Sequence, residues 1–128
     1  MTPARYRTLL LCLWGVLVVC VAVGELLPAS SSIIVGVDRL PVSDKVLHGS
    51  AYLVLSFLPS LAIRDPRRGL ATSLSMILLG GLLELCQSFA PGRSPDIWDE
   101  AANSLGVVCG ILLALACRRY GVAAAARS

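Results

Sequence analysis

Four apolar stretches alternate with short polar segments along this chain. The first runs from Leu9 to Leu27 and is interrupted only late, by Glu25. A connector rich in Ser, Pro and Gly follows from Pro28 to Ser43; its patch Ile33-Ile34-Val35 suits a membrane interface rather than a long helix. Ser43 before Asp44 reads as an N-cap, so a second helix is expected over 44–63, with Pro59 a candidate kink. Arg64-Asp65-Pro66-Arg67-Arg68 ends it. A third run over 69–90 carries Glu84 and Gln87 in an otherwise apolar context and stops at Pro91-Gly92. Ser94-Pro95 reads as the N-cap and first-turn proline of a fourth helix over 95–117, which passes Asp96, Asp99 and Asn103 before turning apolar. Arg118-Arg119 anchors its far end, and the alanine-rich tail to Ser128 carries no motif.

Composition turns these runs into membrane spans. Of 128 residues, 56% are hydrophobic and only 15% charged, too apolar for an ordinary soluble domain. A bilayer core takes roughly 20 apolar residues per helix, so the chain has room for about four spans with brief loops. The expectation is an all-α integral membrane bundle of four transmembrane helices forming a single domain over 1–128. For the first run a signal peptide is the rival, since Ala22-Val23-Gly24 resembles a cleavage site; a lipoprotein site at Cys20 is disfavoured by Val19. Eight Lys and Arg residues fall at the N-terminus, the 64–68 loop and the C-terminal tail, against Arg39, Lys45 and Arg93 opposite. That asymmetry predicts both termini cytoplasmic, in a multi-pass cell-membrane protein. All acidic residues except Asp65 then lie on the extracytoplasmic side.

Charge and cysteine usage exclude other classes. The net charge of +3 comes from clusters flanking apolar runs, where basic residues act as topology signals, so no nucleic-acid partner is expected. Cys12, Cys20, Cys86, Cys109 and Cys117 all fall inside apolar runs without C-x-x-C spacing, which argues against a disulfide framework or a zinc site. No cofactor is implied. A metal variant would use His48 with carboxylates and favour a hard divalent cation, but the primary expectation is no metal.

Helical periodicity decides which polar side chains meet. Lys45, His48 and Tyr52 fall within about 60° of one another on the second helix. Glu84 and Gln87 share one side of the third, at i and i+3. Asp96, Asp99, Asn103, Gly106 and Gly110 fall within about 80° on the fourth, where the glycines permit close approach of a neighbouring helix. Depth agrees: Tyr52, Glu84 and Asn103 each lie roughly 10–12 Å in from the same end. An ionised group near the bilayer centre costs on the order of 3 kcal/mol, so several at one level imply mutual pairing or a wet cavity. Glu84 is the expected hub, meeting His48, Lys45 or Arg93 on one side and Asp99 or Asn103 on the other.

Plainer roles compete at each position. Asp44 and Asp96 also suit helix N-termini, Lys45 can snorkel to headgroups, and Arg93 can anchor at the interface. His48 and Tyr52 also serve as interfacial or packing residues, and Asp99 and Asn103 as glue between helices. Glu84, about two turns inside an apolar helix, is the hardest to explain structurally. Glu25 reads as an interface marker and Glu100 as pointing away from the Asp99 face.

At these residues the sequence resembles the VanZ-like family of bacterial membrane proteins. The resemblance rests on Asp44-Lys45-x-x-His48-x-x-x-Tyr52, then Glu84-x-x-Gln87, then Pro91-Gly92-Arg93, Asp96, Asp99, Asn103 and Gly106, all in order, within a region from Asp44 to Gly110. It implies a four-helix membrane domain in the bacterial envelope, in a family named for resistance to the glycopeptide antibiotic teicoplanin. No reaction transfers with it. Two function classes stay open. In the first, the protein binds and modifies a cell-wall or polyprenyl-phosphate-linked precursor. Lys45 and Arg93 then hold phosphate; Glu84, Asp99 and His48 divide acid and base roles; Tyr52, Gln87, Asn103, Asp96 and Asp44 orient the substrate. In the second, the same groups bind a lipid headgroup or antibiotic, or couple to a larger envelope protein, without bond chemistry.

Overall fold

A computed structural model describes residues 3–125, with side-chain detail over 4–121. Among the described residues the chain is all-α, with five helices in the order α1 (Pro3–Leu26), α2 (Ser32–Asp38), α3 (Asp44–Ala62), α4 (Pro66–Gln87) and α5 (Ile97–Ala125). The expected tail beyond Ala125 lies outside the described residues.

Three helices are long and apolar enough to cross a membrane: Ala4–Leu26, Pro66–Gln87 and Ile97–Gly121. This corrects the expected count of four. The helix that falls short is α3, which opens on Asp44, Lys45 and His48 and later carries Ser56, Pro59 and Ser60. Its position explains the composition. It packs against α1, α4 and α5, so much of its surface meets protein and does not need the apolarity of a lipid-facing helix.

Local chemistry sets the element boundaries. Ser31 caps α2, its hydroxyl accepting from the Ile34 N–H at 3.3 Å, and so a short helix forms inside the connector. Ser43 stands at the N-cap of α3, but its hydroxyl makes no capping bond. Asp65 caps α4 by accepting from the Arg67 N–H at 2.9 Å, and Pro66 takes the first helical position, so α4 starts earlier than Gly69. Ser94-Pro95 does not start α5; Asp96 accepts from the Trp98 N–H at 2.9 Å at its head.

Around α3 the bundle is held by apolar packing and by bonds to its backbone. Tyr52, Leu55, Met76, Val107 and Ile111 form the core, with Trp14, Leu17 and Val21 packed against it from α1. Pro59 has no N–H to offer the carbonyl of Leu55 one turn back. The indole N–H of Trp14 donates to that carbonyl instead, at 2.8 Å, tying α1 to α3. Ser73 of α4 donates to the Ser56 carbonyl at 2.7 Å, and the Ser56 hydroxyl lies 3.1 Å from the Val107 carbonyl of α5. At the lower end an amino group of Arg118 donates to the carbonyls of Leu61 and Ile63, satisfying the open end of α3.

The α3–α5 contact depends on the two glycines of α5. A Cβ at Gly106 would sit 2.1 Å from the carbonyl oxygen of Gly49, and one at Gly110 would sit 2.3 Å from that of Leu53. The backbones are therefore in direct contact, as the small-residue spacing predicts.

Candidate functional site

Antiparallel connections bring one end of every long helix to the same level: the end of α1, the start of α3, the end of α4 and the start of α5. This mouth gathers the residues singled out in the sequence. The Lys45 ammonium bonds both Asp96 and Asp99, which sit on one side of the α5 head. Asp99 is buried, while Asp96 and Lys45 keep about 40% of their side chains exposed. Bonding to Lys45, then to the Trp98 N–H, holds the Asp96 carboxyl below the ordinary aspartate range.

Glu84 is buried and pointed into the bundle, but its partner differs from the expected one. One carboxylate oxygen accepts from the backbone N–H of Asp96 at 3.0 Å, so Glu84 holds the chain just ahead of α5. Its other oxygen is buried without a hydrogen-bond partner. His48 pairs instead with Asn103, Nδ1 to Oδ1, at 3.1 Å. The Asn103 amide lies 3.5 Å from Glu100 through its nitrogen, which leaves its oxygen facing the imidazole. In that arrangement His48 Nδ1 donates to Asn103, and Nε2 lies 3.8 Å from the Asp44 carboxylate.

Glu25 belongs to this cluster. It is buried; one oxygen lies 3.4 Å from the Tyr52 hydroxyl and the other 3.8 Å from His48 Nδ1. Arg93 reaches the same place, donating to the Glu25 carbonyl at 3.2 Å. Reading Glu25 as an interface marker is therefore corrected, and the signal was present: a carboxylate inside an apolar run carries the same desolvation cost as Glu84. Glu100 is likewise turned inward, bonded by Ser104 at 3.3 Å and packed against Gly80, where a Cβ would come within 2.7 Å of its carboxylate. Large neighbours at Gly80 would have been needed to keep it out.

Two further donors lack partners. Gln87 Nε2 and Arg93 Nε are buried without a hydrogen bond. Together with the free oxygen of Glu84 they are polar atoms that a bound molecule or water would satisfy. Of these three residues, Arg93 lines a cleft of about 320 Å³ that opens between α1, α2 and α3. Val21, Ile33, Ile34, Leu47 and Ala51 make it apolar, and Glu25, Asp44, His48 and Arg93 give it a polar rim.

Asp44, His48 and Asp99 offer three ligand atoms within 4.8 Å of one another, a spacing compatible with a metal ion. A cation there would compete with Lys45, which already neutralises Asp99. The mouth as a whole is acidic: Glu25, Asp44, Glu84, Asp96, Asp99 and Glu100 stand against Lys45, Arg93 and His48.

Fold and mouth together define a multi-pass helical membrane protein with a polar pocket at one end. A family model described as VanZ/LLP1 matches residues 9–118, and the chain belongs to that family, as a VanZ-like envelope protein. No curated protein and no solved structure matches it.

Proposed function

We propose that this protein binds a lipid-linked cell-wall precursor at the outer face of the bacterial inner membrane. The observation that carries it is an apolar cleft with Arg93 at its rim, whose buried Nε has no hydrogen-bond partner among the described residues. A polyprenyl chain would enter between α1, α2 and α3, and its phosphate would meet Arg93 at the rim. Gln87, Asn103, Asp44 and the remaining carboxylates would take hydroxyl and amide groups of the head. Lys45 serves the site differently from a direct phosphate ligand: committed to Asp96 and Asp99, it fixes the head of α5. Tyr52 positions Glu25 and supports His48.

In this reading α3 lies sheltered among the other three long helices, with its Asp44 end and the mouth on the extracytoplasmic side. The excess of Lys and Arg at the opposite end supports that orientation. In the enzymatic form of the proposal, Glu84 transfers protons through its free oxygen, with Asp99 and His48 as further acid–base groups. Altered glycopeptide sensitivity is the expected cellular phenotype.

The test is profiling of lipid-linked and wall precursors in cells carrying the protein, its Glu84→Gln variant or neither. A changed precursor that disappears in the variant supports an enzyme. Unchanged precursors that co-purify with the protein support a binder, and absence of both results removes the proposal.

A further inference from the structure

Opposite the mouth, arginines from three separate elements line one cleft of about 760 Å³: Arg7 of α1, Arg64 of the α3–α4 turn and Arg118 of α5. The basic charge is poorly balanced. Asp65 is the one acidic residue in the sequence at this end, and it is engaged by Arg68 at 3.5 Å and by the cap of α4. Arg118 is also fixed in place, because its bonds to the Leu61 and Ile63 carbonyls hold it against the end of α3. Those bonds use one of its amino groups, and three N–H groups of the guanidinium remain.

The walls are not those of a site for a small hydrophilic anion. Leu10, Leu61 and Cys117 line the cleft beside the arginines. Beyond it the flanks of α1 and α5 continue with exposed apolar side chains, among them Leu13 and Leu113. A ligand that fits has an anionic head and apolar chains. Arginine forks match phosphate oxygens, and the adjoining helix flanks suit acyl chains.

We propose that this cleft binds the phosphate of an anionic membrane phospholipid, at a site separate from the mouth. Bound there, the lipid bridges α1 to α5, which pack on α3 from different helices of the bundle. Because the two sites lie at opposite ends, loss of precursor binding at the mouth leaves this prediction untouched.

The experiment uses the full chain in nanodiscs of phosphatidylcholine doped with phosphatidylglycerol, followed by native mass spectrometry of the released protein. Wild type should retain phosphatidylglycerol in preference to phosphatidylcholine. A basic residue near a membrane surface changes affinity by roughly fivefold, so Arg7→Gln/Arg64→Gln should weaken retention roughly 25-fold. That double variant leaves the Arg118 bonds to α3 intact and separates lipid loss from unfolding. Arg119→Gln, outside the cleft, should behave as wild type. Equal retention of the two lipids, or full retention by the double variant, would overturn the proposal. So would inorganic phosphate binding with the same affinity as the lipid, since the apolar walls would then contribute nothing.

Discussion

Replacing Lys45 by Met removes the ammonium that Asp96 and Asp99 share while keeping a side chain of similar length. Asp99 is the costly member, because its side chain is only 10% exposed and loses its cation. Breaking a buried pair costs about 3–5 kcal/mol; because Lys45 is more than a third exposed, about 2–3 kcal/mol is expected here. The measurement is thermal unfolding of the purified protein in detergent at neutral pH. A divalent cation should restore much of the loss, because two facing carboxylates without their lysine become an oxygen site for calcium.

Proton linkage gives a second readout of the same pairing. The Asp96 carboxyl is depressed by Lys45 and by the Trp98 N–H. A depressed carboxylate contributes stability above its unfolded pKa of about 3.9, and that contribution is lost as pH falls through the lower folded value. In Lys45→Met the larger cause is gone, so the acid-dependent loss should shrink, leaving the part due to Trp98. A variant as stable as wild type, indifferent to calcium and with an unchanged acid profile, would show that the ammonium does not organise the α5 head.

Other substitutions separate the remaining contacts. Gly106→Ala should destabilise by about 1–3 kcal/mol through its clash with the Gly49 carbonyl, whereas Gly15→Ala, which meets nothing within 4 Å, should be tolerated in the same unfolding assay. Trp14→Phe leaves the Leu55 carbonyl unpaired and should cost about 1–3 kcal/mol; Pro59→Ala restores a backbone donor, so a double-mutant cycle should recover part of it. Arg93→Lys should lose precursor binding nearly as far as Arg93→Ala, because a lysine keeps the charge without the planar fork. Full activity of the lysine variant in a binding assay would reduce Arg93 to a simple charge.

Much of the mouth was legible because helical spacing and depth are properties of the chain alone. Lys45, His48 and Tyr52 share a face, and Asp96, Asp99 and Asn103 face them across the Gly106 contact. Which partner each group takes was not legible. The expected hub paired Glu84 with His48, Lys45 or Arg93, but the close α3–α5 approach gives His48 to Asn103 and leaves Glu84 to the Asp96 backbone. Glu25, near the end of the first apolar run, bears the same desolvation cost as Glu84 and is buried like it, so its place at the mouth was legible on the same physical ground. The membrane count erred for a different reason. An enclosed helix such as α3 draws its stability from its neighbours, and its composition does not report its surroundings.

The distribution of buried polar groups also bears on what kind of device the bundle is. At the mouth, atoms of Glu84, Gln87 and Arg93 are left without partners. Below the level of Tyr52 and Asn103, the buried serines are satisfied within the protein: Ser60 pairs with Ser73 at 2.7 Å, Ser73 also bonds the Ser56 carbonyl, and Ser56 bonds α5. Leu55, Met76, Val107 and Ile111 fill the space between them. A conduction path needs exchangeable polar partners along its length, and here the lower polar groups serve as helix-to-helix bonds inside an apolar core. Under the proposed function the mouth acts as a pocket closed below by this core and entered from its own end or laterally through the α1–α2–α3 cleft. That geometry suits a molecule with its chain in the bilayer and its head at the surface better than it suits a transported solute.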